Sequence, residues 1–489
     1  MTVNFRGDPT AVGYFEPTRF EADVYDCEVT EGSIPTELDG TFYRVGGDWF
    51  YPPKFHDDSP FNADGYVTMF RFSNGSVDYR GRFVRTPRYL ADAKVRRQLF
   101  GYYRNGRTDD PSVRGVSRNV ANTNLIAHAG KLFALKEDSR PMMIDPDTLE
   151  TLGEWDFHGD YGAPTFTAHP KVDHATGEMI TYGYEVDGDA SNAIAVYFID
   201  KGGRVTRSVR FAAPYVSMIH DIAVSEKHIV FPVYGMVTNA ERLQAGKIHW
   251  GWDGSQSTYY GVLPRDGSAK DVRWFKGPER AVVHTFNAVT RGNKLVMEAP
   301  ISDSNPFPFF PNVDGSPFDR ARGRTVVRRV TLDLHSRSGD WTEEILYPDA
   351  PGALSRLDDR YITHPYRYGF MGFADATKPF DTARGGEMRG RITNSYGRFD
   401  FASGGLQAFF AGDVHGLQEC SFAPRSAGAP EGDGFLLGVA SNYAERNSEL
   451  VVVDATTLRQ VARVRMPFRL SNQIHGIYVP SGDLPRAAA

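Results

Sequence analysis

The chain has 489 residues, of which 41% are hydrophobic and 24% charged, and its formal net charge at pH 7 is −6. This composition is typical of a globular protein with ample core material, and the acidic balance without a long basic run argues against a nucleic acid partner. The two cysteines form no CxxC motif, the N-terminus has no apolar signal-peptide region, and no window approaches 18 uninterrupted apolar residues, so we expect a soluble, cytoplasmic protein that does not enter a membrane.

Short runs rich in Val, Ile, Phe, Tyr and Thr alternate with turn sequences along most of the chain. In chain order they include MITYGYEV, AIAVYFID, KHIVFPVYG, TYYGVL, KLVMEAP, FLLGVASN and LVVVDA, with turns such as DHATGE (173–178) and TRGNK (290–294) between them. This alternation predicts antiparallel strands joined by tight turns. Helical periodicity is confined to 91–101 (ADAKVRRQLFG) and a shorter segment at 238–246 (TNAERLQAG).

The strand groups recur at intervals of roughly 45 to 70 residues, which is the spacing of four-stranded blades around an axis. We therefore predict an all-β, seven-bladed β-propeller that spans 1–489 as a single domain. The segments 86–120, 303–325 and 374–404 are too long for hairpin turns and are predicted to build a cap, or dome, over one face. The alternative architecture is an ordinary pair of β-sandwiches.

Four histidines, His169, His220, His284 and His475, each open a short apolar stretch: HPKVD, HDIAV, HTFNAV and HGIYV. They are too far apart in sequence for a compact zinc-finger-like ligand set. In a propeller, however, equivalent points of several inner strands face one spot on the axis. The alternative for each histidine is a surface or hydrogen-bonded core residue, which is the interpretation we favour for the other nine.

Four neutral imidazoles without a charged ligand suit Fe(II), Cu(II), Ni(II) or Zn(II), and zinc hydrolases more often add a carboxylate or cysteine. Carboxylates that accept the distal ring proton are expected to orient such histidines. Glu137, after the strand LFAL, and Glu419, which we interpret as opening a strand in GLQECSF, are the candidates. Each has a solvated turn residue as its alternative interpretation.

The chain resembles the carotenoid cleavage oxygenases, and among them most closely the bacterial lignostilbene dioxygenases. Motifs that carry the resemblance occur in order over more than 400 residues, roughly a whole large domain. They include LDGTFYRVGGDWF (38–50), FNADGYVTMFRF (61–72), NTNLIAHAGKLFALKE (122–137), TAHPKVDHATGE (167–178), SMIHDIAV (217–224), HTFNAV (284–289), LQECSFAPR (417–425) and VRMPFRLSNQIHG (464–476).

The resemblance implies a seven-bladed propeller with a dome and one non-haem Fe(II) per chain on the axis, bound by the four histidines. It places Glu137 and Glu419 on two of the family's three supporting glutamates. The third is expected near 351–359, where Ala353 stands instead, so that one histidine is oriented by water or a backbone carbonyl, or the alignment slips locally. Thr123 matches a small side chain near an open iron position, with an ordinary strand threonine as the alternative.

The resemblance to lignostilbene dioxygenases implies a phenol-binding pair, Lys136 and Tyr103, which would hold the 4-hydroxyl of a stilbene and favour its phenolate. Phe61 would stack on a substrate ring, and Phe307, in SNPFPFFPN, would add a further pocket aromatic. The alternatives are a Lys136 that pairs with a neighbouring acid at a surface turn, and Tyr102 in the place of Tyr103. Alternatively, Phe61 is an ordinary core residue, and the phenylalanine-rich loop only fills the interior of the dome.

We therefore expect an Fe(II)-dependent dioxygenase that cleaves the interphenyl double bond of a 4-hydroxystilbene, such as lignostilbene or a resveratrol-like compound, with O2. The products would be two aromatic aldehydes of the vanillin type. Cleavage of an isoeugenol-like phenylpropenoid or an apocarotenoid is the alternative within the family, and relatives suggest a homodimer. A lactonase-like propeller hydrolase and a pure binding scaffold are the more distant alternatives, although such lactonases usually bind calcium through oxygen ligands.

Overall fold

Strands form most of the regular structure in this computed structural model, which describes residues 5, 16–387 and 392–483. The first strands in chain order are β1 (Ala22–Val24), β2 (Glu28–Gly32), β3 (Gly40–Asp48), β4 (Asp64–Ser73), β5 (Ser76–Phe83), β6 (Asn124–His128), β7 (Lys131–Leu135), β8 (Met142–Ile144), β9 (Thr151–Glu154), β10 (Lys171–Asp173) and β11 (Glu178–Tyr184). Next come β12 (Ala193–Ile199), β13 (Val205–Ala212), β14 (Ala223–Val224), β15 (His228–Val233), β16 (Met236–Val237), β17 (Gly251–Trp252), β18 (Thr258–Pro264), β19 (Arg273–Gly277), β20 (Ala281–Val282), β21 (Asn287–Arg291) and β22 (Lys294–Ser302). The last are β23 (Val326–Asp333), β24 (Trp341–Tyr347), β25 (Ser355–Arg356), β26 (Tyr368–Phe373), β27 (Ser395–Asp400), β28 (Gly405–Phe410), β29 (His415–Pro424), β30 (Gly434–Asn442), β31 (Asn447–Asp454), β32 (Arg459–Arg465) and β33 (His475–Pro480).

The described strands form eight antiparallel sheets, of which seven are the blades of a β-propeller and the eighth is the two-stranded pair β16-β17. From inner to outer strand, blade 1 is β33-β3-β4-β5-β1, blade 2 is β6 to β9, and blade 3 is β10 to β13. Blade 4 is β14-β15-β18-β19, blade 5 has β20 and β21 on β22-β23-β24, blade 6 is β25 to β28, and blade 7 is β29-β30-β31-β32-β2. The seven-bladed prediction is confirmed, and the β-sandwich alternative is wrong.

Both ends of the described chain close the ring. The C-terminal strand β33 pairs with β3 in blade 1, from Val45↔His475 to Gly40↔Pro480, and the N-terminal strand β2 pairs with β32 in blade 7. Neighbouring blades are therefore joined by strands from opposite ends of the sequence. His475 enters the axis through this closure.

Burial along the strands follows their distance from the axis. Every residue of β12, AIAVYFI, is buried, because blades on either side cover both of its faces, whereas the outer strand β13 mostly alternates half-buried and exposed positions. A cluster between blades 1 and 2 joins Val45 and Ile477 to Leu125 and Leu132. The core is thus a set of blade-to-blade interfaces around the axis.

The segments 86–120 and 303–325 contain no strand in the structure, and the third segment, 374–404, includes β27. Helix α1 spans Pro87–Val95, so the prediction of a helix over 91–101 is wrong at both ends. Thr86 caps the helix by accepting the Tyr89 N–H, and Arg96 ends it in the left-handed conformation, φ 59°. Helix α2 (Ala240–Gln244) confirms the second helical segment, and α3 spans Thr382–Gly385.

Five short 3-10 turns complete the regular structure of the described residues: Pro60–Asn62, Gly106–Thr108, Pro111–Val113, Ala269–Asp271 and Asp359–Tyr361. None of the helices in the described part of the chain has the length and apolar character needed to cross a membrane. Part of the predicted cap segment 374–404, residues 388–391, lies outside the described residues.

Candidate metal centre and adjoining cavity

The four predicted histidines lie together on the propeller axis. His475 is the first residue of β33, whereas His169 and His220 precede the short inner strands β10 and β14, and His284 lies between β20 and β21. Four different blades thus contribute one imidazole each. The prediction that each histidine opens a strand holds strictly only for His475, since the others lie in the lead-in to an inner strand.

The ring nitrogens of the histidines converge. One ligand atom from each of the four lies within 4.8 Å of the others. His169 Nε2 lies 3.0 Å from His220 Nε2, and His284 Nε2 lies 3.2 Å from His475 Nε2. All four side chains are buried.

The Nδ1 atoms of three histidines face outward to acceptors. His220 Nδ1 lies 2.7 Å from Glu137 Oε2 and His475 Nδ1 lies 2.8 Å from Glu419 Oε1. Because a carboxylate or carbonyl oxygen accepts, each Nδ1 carries the proton and each Nε2 directs its lone pair toward the axis. Lone pairs at this separation repel one another unless a cation lies between them, so the donor set fits a divalent metal ion.

The third acceptor is a backbone carbonyl. His284 Nδ1 lies 2.8 Å from the oxygen of Ala353, two residues before β25, the inner strand of blade 6. The possibility that a carbonyl replaces the family's third glutamate is therefore the one that the structure bears out. His284 therefore donates to a neutral acceptor, whereas His220 and His475 donate to charged carboxylates.

Burial favours the neutral form of His169, His284 and His475. Burial, reinforced by the neighbouring imidazoles, lowers the pKa of His169 and of His284 well below its ordinary value. Burial also lowers the pKa of His475, although Glu419 partly opposes the shift. Neutral imidazole is the form that binds a metal, so the site is ready for one near neutral pH.

Glu419 does not open a strand, and that interpretation is wrong. It lies inside β29, where the pairing with β30 shifts between Leu417 and Cys420. Such a bulge turns a side chain away from its regular direction, here toward His475. Glu419 Oε2 also accepts from the Gly476 N–H at 2.9 Å and from Arg356 at 2.8 Å. Burial raises the pKa of Glu419, but Arg356 and His475 lower it more, so that the Glu419 pKa lies below its ordinary value.

A cavity of about 770 Å³, counting its open mouth, adjoins three of the histidines. Its polar end is formed by Lys136, Tyr103 and Glu137. The rest is mostly apolar and is lined by Met218, Val283, Pro306, Phe307, Leu354 and Ile474, together with Phe61 and the small residues Thr123, Gly323, Thr325 and Ala353. Apolar walls with a few convergent polar groups are typical of a small-molecule site.

Lys136 is buried, with 3% of its surface exposed, so the interpretation as a surface-turn ion pair is wrong. Its Nζ donates to the Phe61 carbonyl at 3.1 Å and lies 4.7 Å from the centre of the Tyr103 ring. Burial lowers the pKa of the Lys136 ammonium, although the carboxylates of Asp138 and Glu137 oppose that shift. The remaining donor positions of Nζ are available to a ligand in the cavity.

Tyr103, and not Tyr102, lines the cavity. The Tyr103 hydroxyl donates to Glu137 Oε1 at 2.9 Å, and burial together with the Glu137 charge raises the Tyr103 pKa well above its ordinary value. The Tyr102 hydroxyl instead donates to Asp57 at 2.8 Å, away from the cavity lining. The expected pair, Lys136 and Tyr103, therefore lies side by side at one end of the cavity.

Phe61 and Phe307 both line the cavity and contact one another edge to face, with ring centres 5.7 Å apart. Phe309 and Phe310 pack behind them, and Phe310 contacts Tyr103 at 5.9 Å between ring centres. The phenylalanine-rich loop thus supplies both a lining residue and its support. Thr123 lines the cavity as well, and its Oγ1 donates to Asn122 Oδ1 at 3.1 Å.

Sequence reasoning missed the buried charge network behind this end of the cavity. Arg104 donates to Glu185 at 2.5 Å and to the Tyr184 hydroxyl at 2.7 Å, and its Nη1 lies 3.9 Å from Glu137 Oε1. His249, one of the nine histidines outside the predicted set, is fully buried, and its Nε2 lies 3.0 Å from Glu185 Oε1. The available signal was a charged residue directly after two aromatics in LFGYYRN.

Comparison with known proteins agrees with this geometry. Lignostilbene-alpha,beta-dioxygenase isozyme III of Sphingomonas paucimobilis is 39% identical over 481 residues, which cover 97% of this chain and 98% of the relative. Isoeugenol monooxygenase of Pseudomonas putida is 38% identical, with coverage of 98% and 99%. The crystal structure of Pseudomonas brassicacearum lignostilbene dioxygenase superposes with a TM-score of 0.94 at 38% identity, with coverage of 98% and 100%.

The family model described as retinal pigment epithelial membrane protein, RPE65, matches residues 15–480. This match spans nearly the whole propeller, including the four axial histidines and the strand that closes the ring. The chain belongs to the RPE65 and carotenoid cleavage oxygenase family.

Proposed function

We propose that this chain is a non-haem Fe(II) dioxygenase that cleaves the central double bond of a 4-hydroxystilbene with O2 and releases two aromatic aldehydes. The observation that carries the proposal is the buried Lys136 at the single charged end of an otherwise apolar cavity, next to four converging histidines. Relatives named for the oxidation of lignostilbene and of isoeugenol, at 39% and 38% identity, support this reaction class.

Fe(II) is the metal that we propose for His169, His220, His284 and His475. An all-imidazole set without a thiolate or carboxylate ligand suits iron, and calcium prefers oxygen ligands. When bound, Fe(II) would supply the dioxygen chemistry that no side chain of the cavity offers. Glu137, Glu419 and the Ala353 carbonyl would keep the imidazoles in the tautomer that presents Nε2 to the ion.

Lys136 is proposed to hold the substrate by its phenol. Because burial lowers the Lys136 pKa, the amine can take the proton of the 4-hydroxyl and form an ammonium–phenolate pair. The phenolate then releases electron density through the ring to the alkene, which makes that bond reactive toward an oxidant. Phe61 and Phe307 would position the aromatic ring by edge and face contacts, and Thr123 would leave room beside the metal.

The apolar remainder of the cavity would take the second ring. Val283, Leu354 and Ile474 line that part and offer no hydrogen-bonding side chain. Isoeugenol-type phenylpropenoids carry the same 4-hydroxyl with a shorter chain, so their cleavage is the second candidate, supported by the relative of that name. An apocarotenoid lacks a phenol and would leave Lys136 without an acidic partner.

Substitution of Lys136 by Met tests the phenolate role. We expect kcat/KM for a 4-hydroxystilbene, measured as aldehyde formation, to fall by about 100-fold or more, the usual range for a lost proton-transfer group. Iron content should stay unchanged, because Lys136 touches none of the four histidines. Lys201→Met, at an exposed turn, is the matched control and should retain wild-type turnover. Equal turnover of Lys136→Met and the control would contradict the proposal.

Two further proposals concern the setting of the enzyme. Cytoplasmic location is supported by Cys27 and Cys420, which are free and buried, as expected for a protein of a reducing compartment. A homodimer is proposed from the resemblance alone. Sedimentation of the purified protein would test it.

A further inference from the structure

We propose that Glu137 couples the phenol end of the cavity to the metal ligand His220, and that Tyr103 is the switch, donating its proton to Glu137 in the free protein and to the substrate phenolate in the complex. This inference rests on the proposed function, since it requires a phenolic ligand beside Lys136. It assigns Tyr103 a role in communication between two sites. It also makes Glu137 more than a support for one imidazole.

The two oxygens of Glu137 serve different partners. Oε2 accepts from His220 Nδ1 at 2.7 Å, and Oε1 accepts from the Tyr103 hydroxyl at 2.9 Å. Glu137, Tyr103 and His220 are 3%, 1% and 9% exposed, so solvent screens this line of groups little. Glu137 is thus a shared acceptor between the cavity wall and the metal site.

The Tyr103 hydroxyl can donate to only one of its two possible acceptors at a time. A tyrosine hydroxyl has one proton, and in the free protein that proton lies on the hydrogen bond to Glu137. While it does so, the Tyr103 oxygen can only accept from a ligand, and a phenolate has no proton to give. Lys136 still has donor positions for the phenolate, but Tyr103 must turn its O–H away from Glu137 to become the second donor.

The backbone of Tyr103 is fixed, so that only its hydroxyl proton needs to move. The Tyr103 N–H donates to Asp58 Oδ1 at 2.8 Å, and its carbonyl accepts from the His249 N–H at 3.2 Å. When the hydroxyl leaves Glu137 Oε1, Arg104 Nη1 remains 3.9 Å from the same oxygen. The positive charge of Arg104 therefore lowers the free-energy cost of breaking the hydrogen bond between Tyr103 and Glu137, although some cost remains.

The sign of the coupling follows from the acidity of the shared hydrogen bonds. A cation on His220 Nε2 makes the Nδ1 proton more acidic, which strengthens its hydrogen bond and draws charge from the Glu137 carboxylate. Oε1 then holds the Tyr103 proton less tightly, and the phenolate gains that donor more easily. Metal binding should therefore strengthen phenol binding, and by linkage phenol binding should strengthen metal binding by the same factor.

Anaerobic titration measures this coupling without turnover. The Kd of trans-4-hydroxystilbene is measured for the metal-free protein and for the protein loaded with Fe(II), in wild type and in Tyr103→Phe. We expect the ratio of the two Kd values to be about fivefold or more in wild type, the lower end of usual coupling between sites. In Tyr103→Phe the ratio should fall to at most about half of the wild-type factor, since only direct charge attraction remains.

Two controls test whether the coupling needs the Tyr103 hydroxyl in particular and whether it needs a ligand that can become a phenolate. Tyr102→Phe makes the same change in the neighbouring residue, whose hydroxyl binds Asp57, and should keep the wild-type ratio. Wild type with trans-4-methoxystilbene, which cannot become a phenolate, should show a ratio near one. This second measurement needs no variant and stands even if Tyr103→Phe folds poorly.

The outcomes distinguish this inference from the proposed function. If 4-hydroxystilbene binds but the ratio is the same in wild type and Tyr103→Phe, or the methoxy compound shows the same ratio as the phenol, the coupling is wrong and the proposed function stands. If neither form of the wild-type protein binds the stilbene, the proposed function fails and the coupling fails with it.

Discussion

At the scale of single residues, the histidines of the metal centre differ in the groups that hold them. Glu137 and Glu419 hold His220 and His475 with a negative charge, and the Ala353 carbonyl holds His284 without one. A charged acceptor makes an imidazole a stronger donor to a metal than a neutral acceptor does. The two kinds of support therefore predict different responses to substitution.

Replacement of Glu419 by Gln should weaken Fe(II) binding by about 10- to 100-fold, the usual effect of losing a carboxylate that supports a ligating histidine. The measurement is a competition titration with a chelator. Ala353→Ser is the matched change at His284, and it should leave affinity within about twofold because the carbonyl stays in place. Since Glu419→Gln also removes the charged partner of the half-buried Arg356, unfolding is monitored in parallel; unchanged affinity in a folded variant would contradict the prediction.

The sequence identified the four converging histidines and both glutamates by type and position, but it left each supporting role open. A glutamate after an apolar strand is compatible with a solvated turn, and a lysine beside two acids is compatible with an ion pair at the surface. Burial decides between these interpretations, and burial depends on residues that are remote in sequence. Lys136 is covered in part by Phe61 and Tyr103, and its donor goes to a carbonyl 75 residues away.

At the scale of elements, the loop 303–325 between β22 and β23 matters most for the cavity. It places Phe307 in the lining and holds Phe309 and Phe310 behind it. Asn305 fastens the loop, because its side chain donates to the Phe310 carbonyl at 2.8 Å and accepts from the Phe307 N–H at 3.0 Å. An aromatic-rich loop without regular structure is thus held by its own hydrogen bonds.

Phe307→Ala should raise the KM for a 4-hydroxystilbene by about fivefold to tenfold, the equivalent of one aromatic contact, and change kcat less. The reason is that Phe307 is proposed to contact the substrate ring, whereas Lys136 and Tyr103 would hold the phenol. Steady-state kinetics check the split between KM and kcat. Val313→Ala, an exposed residue of the same loop, is the control and should leave KM unchanged. A fall in kcat alone would contradict a binding role.

At the scale of the whole molecule, the strand that closes the ring also carries one of the four proposed metal ligands. β33 joins blade 1 through β3, and its first residue is His475. The side of β33 at Gly476 has no room for a side chain, since a Cβ there would lie 2.5 Å from the Tyr43 carbonyl oxygen and 3.0 Å from Arg44 Cγ. The fit between the last strand and the first blade therefore also sets the position of the imidazole.

Gly476→Ala should lower both thermal stability and Fe(II) affinity. The added methyl group forces β33 away from β3, a kind of overpacking that costs about 1–3 kcal/mol. Gly482→Ala is the control, because a Cβ at that position has nothing within 4 Å, and it should match wild type. Thermal unfolding of the apo and Fe(II)-loaded proteins measures both effects. A loss of stability without a loss of metal affinity would separate closure from the metal site and contradict the prediction.

The sequence by itself determined the repeat of short strands, hence the propeller, and the residue types of the site. Strand periodicity and turn residues act over a few neighbours, and they can be followed along the chain. The ends of helix α1 could not be predicted from apolar spacing alone. They are determined by the Thr86 cap and by Arg96 in the left-handed conformation. The family motifs supplied the order of the site residues without their contacts.

Only the tertiary structure decided which groups meet. It brought ring nitrogens of His169, His220, His284 and His475 from four blades to within 4.8 Å of one another, placed the Ala353 carbonyl as an acceptor, and buried Arg104 behind Glu137. The physical reason is that these contacts join residues from different blades or from the cap, so the closed ring sets their distances. Local sequence determines each strand, and the packing of seven blades determines the chemistry at their axis.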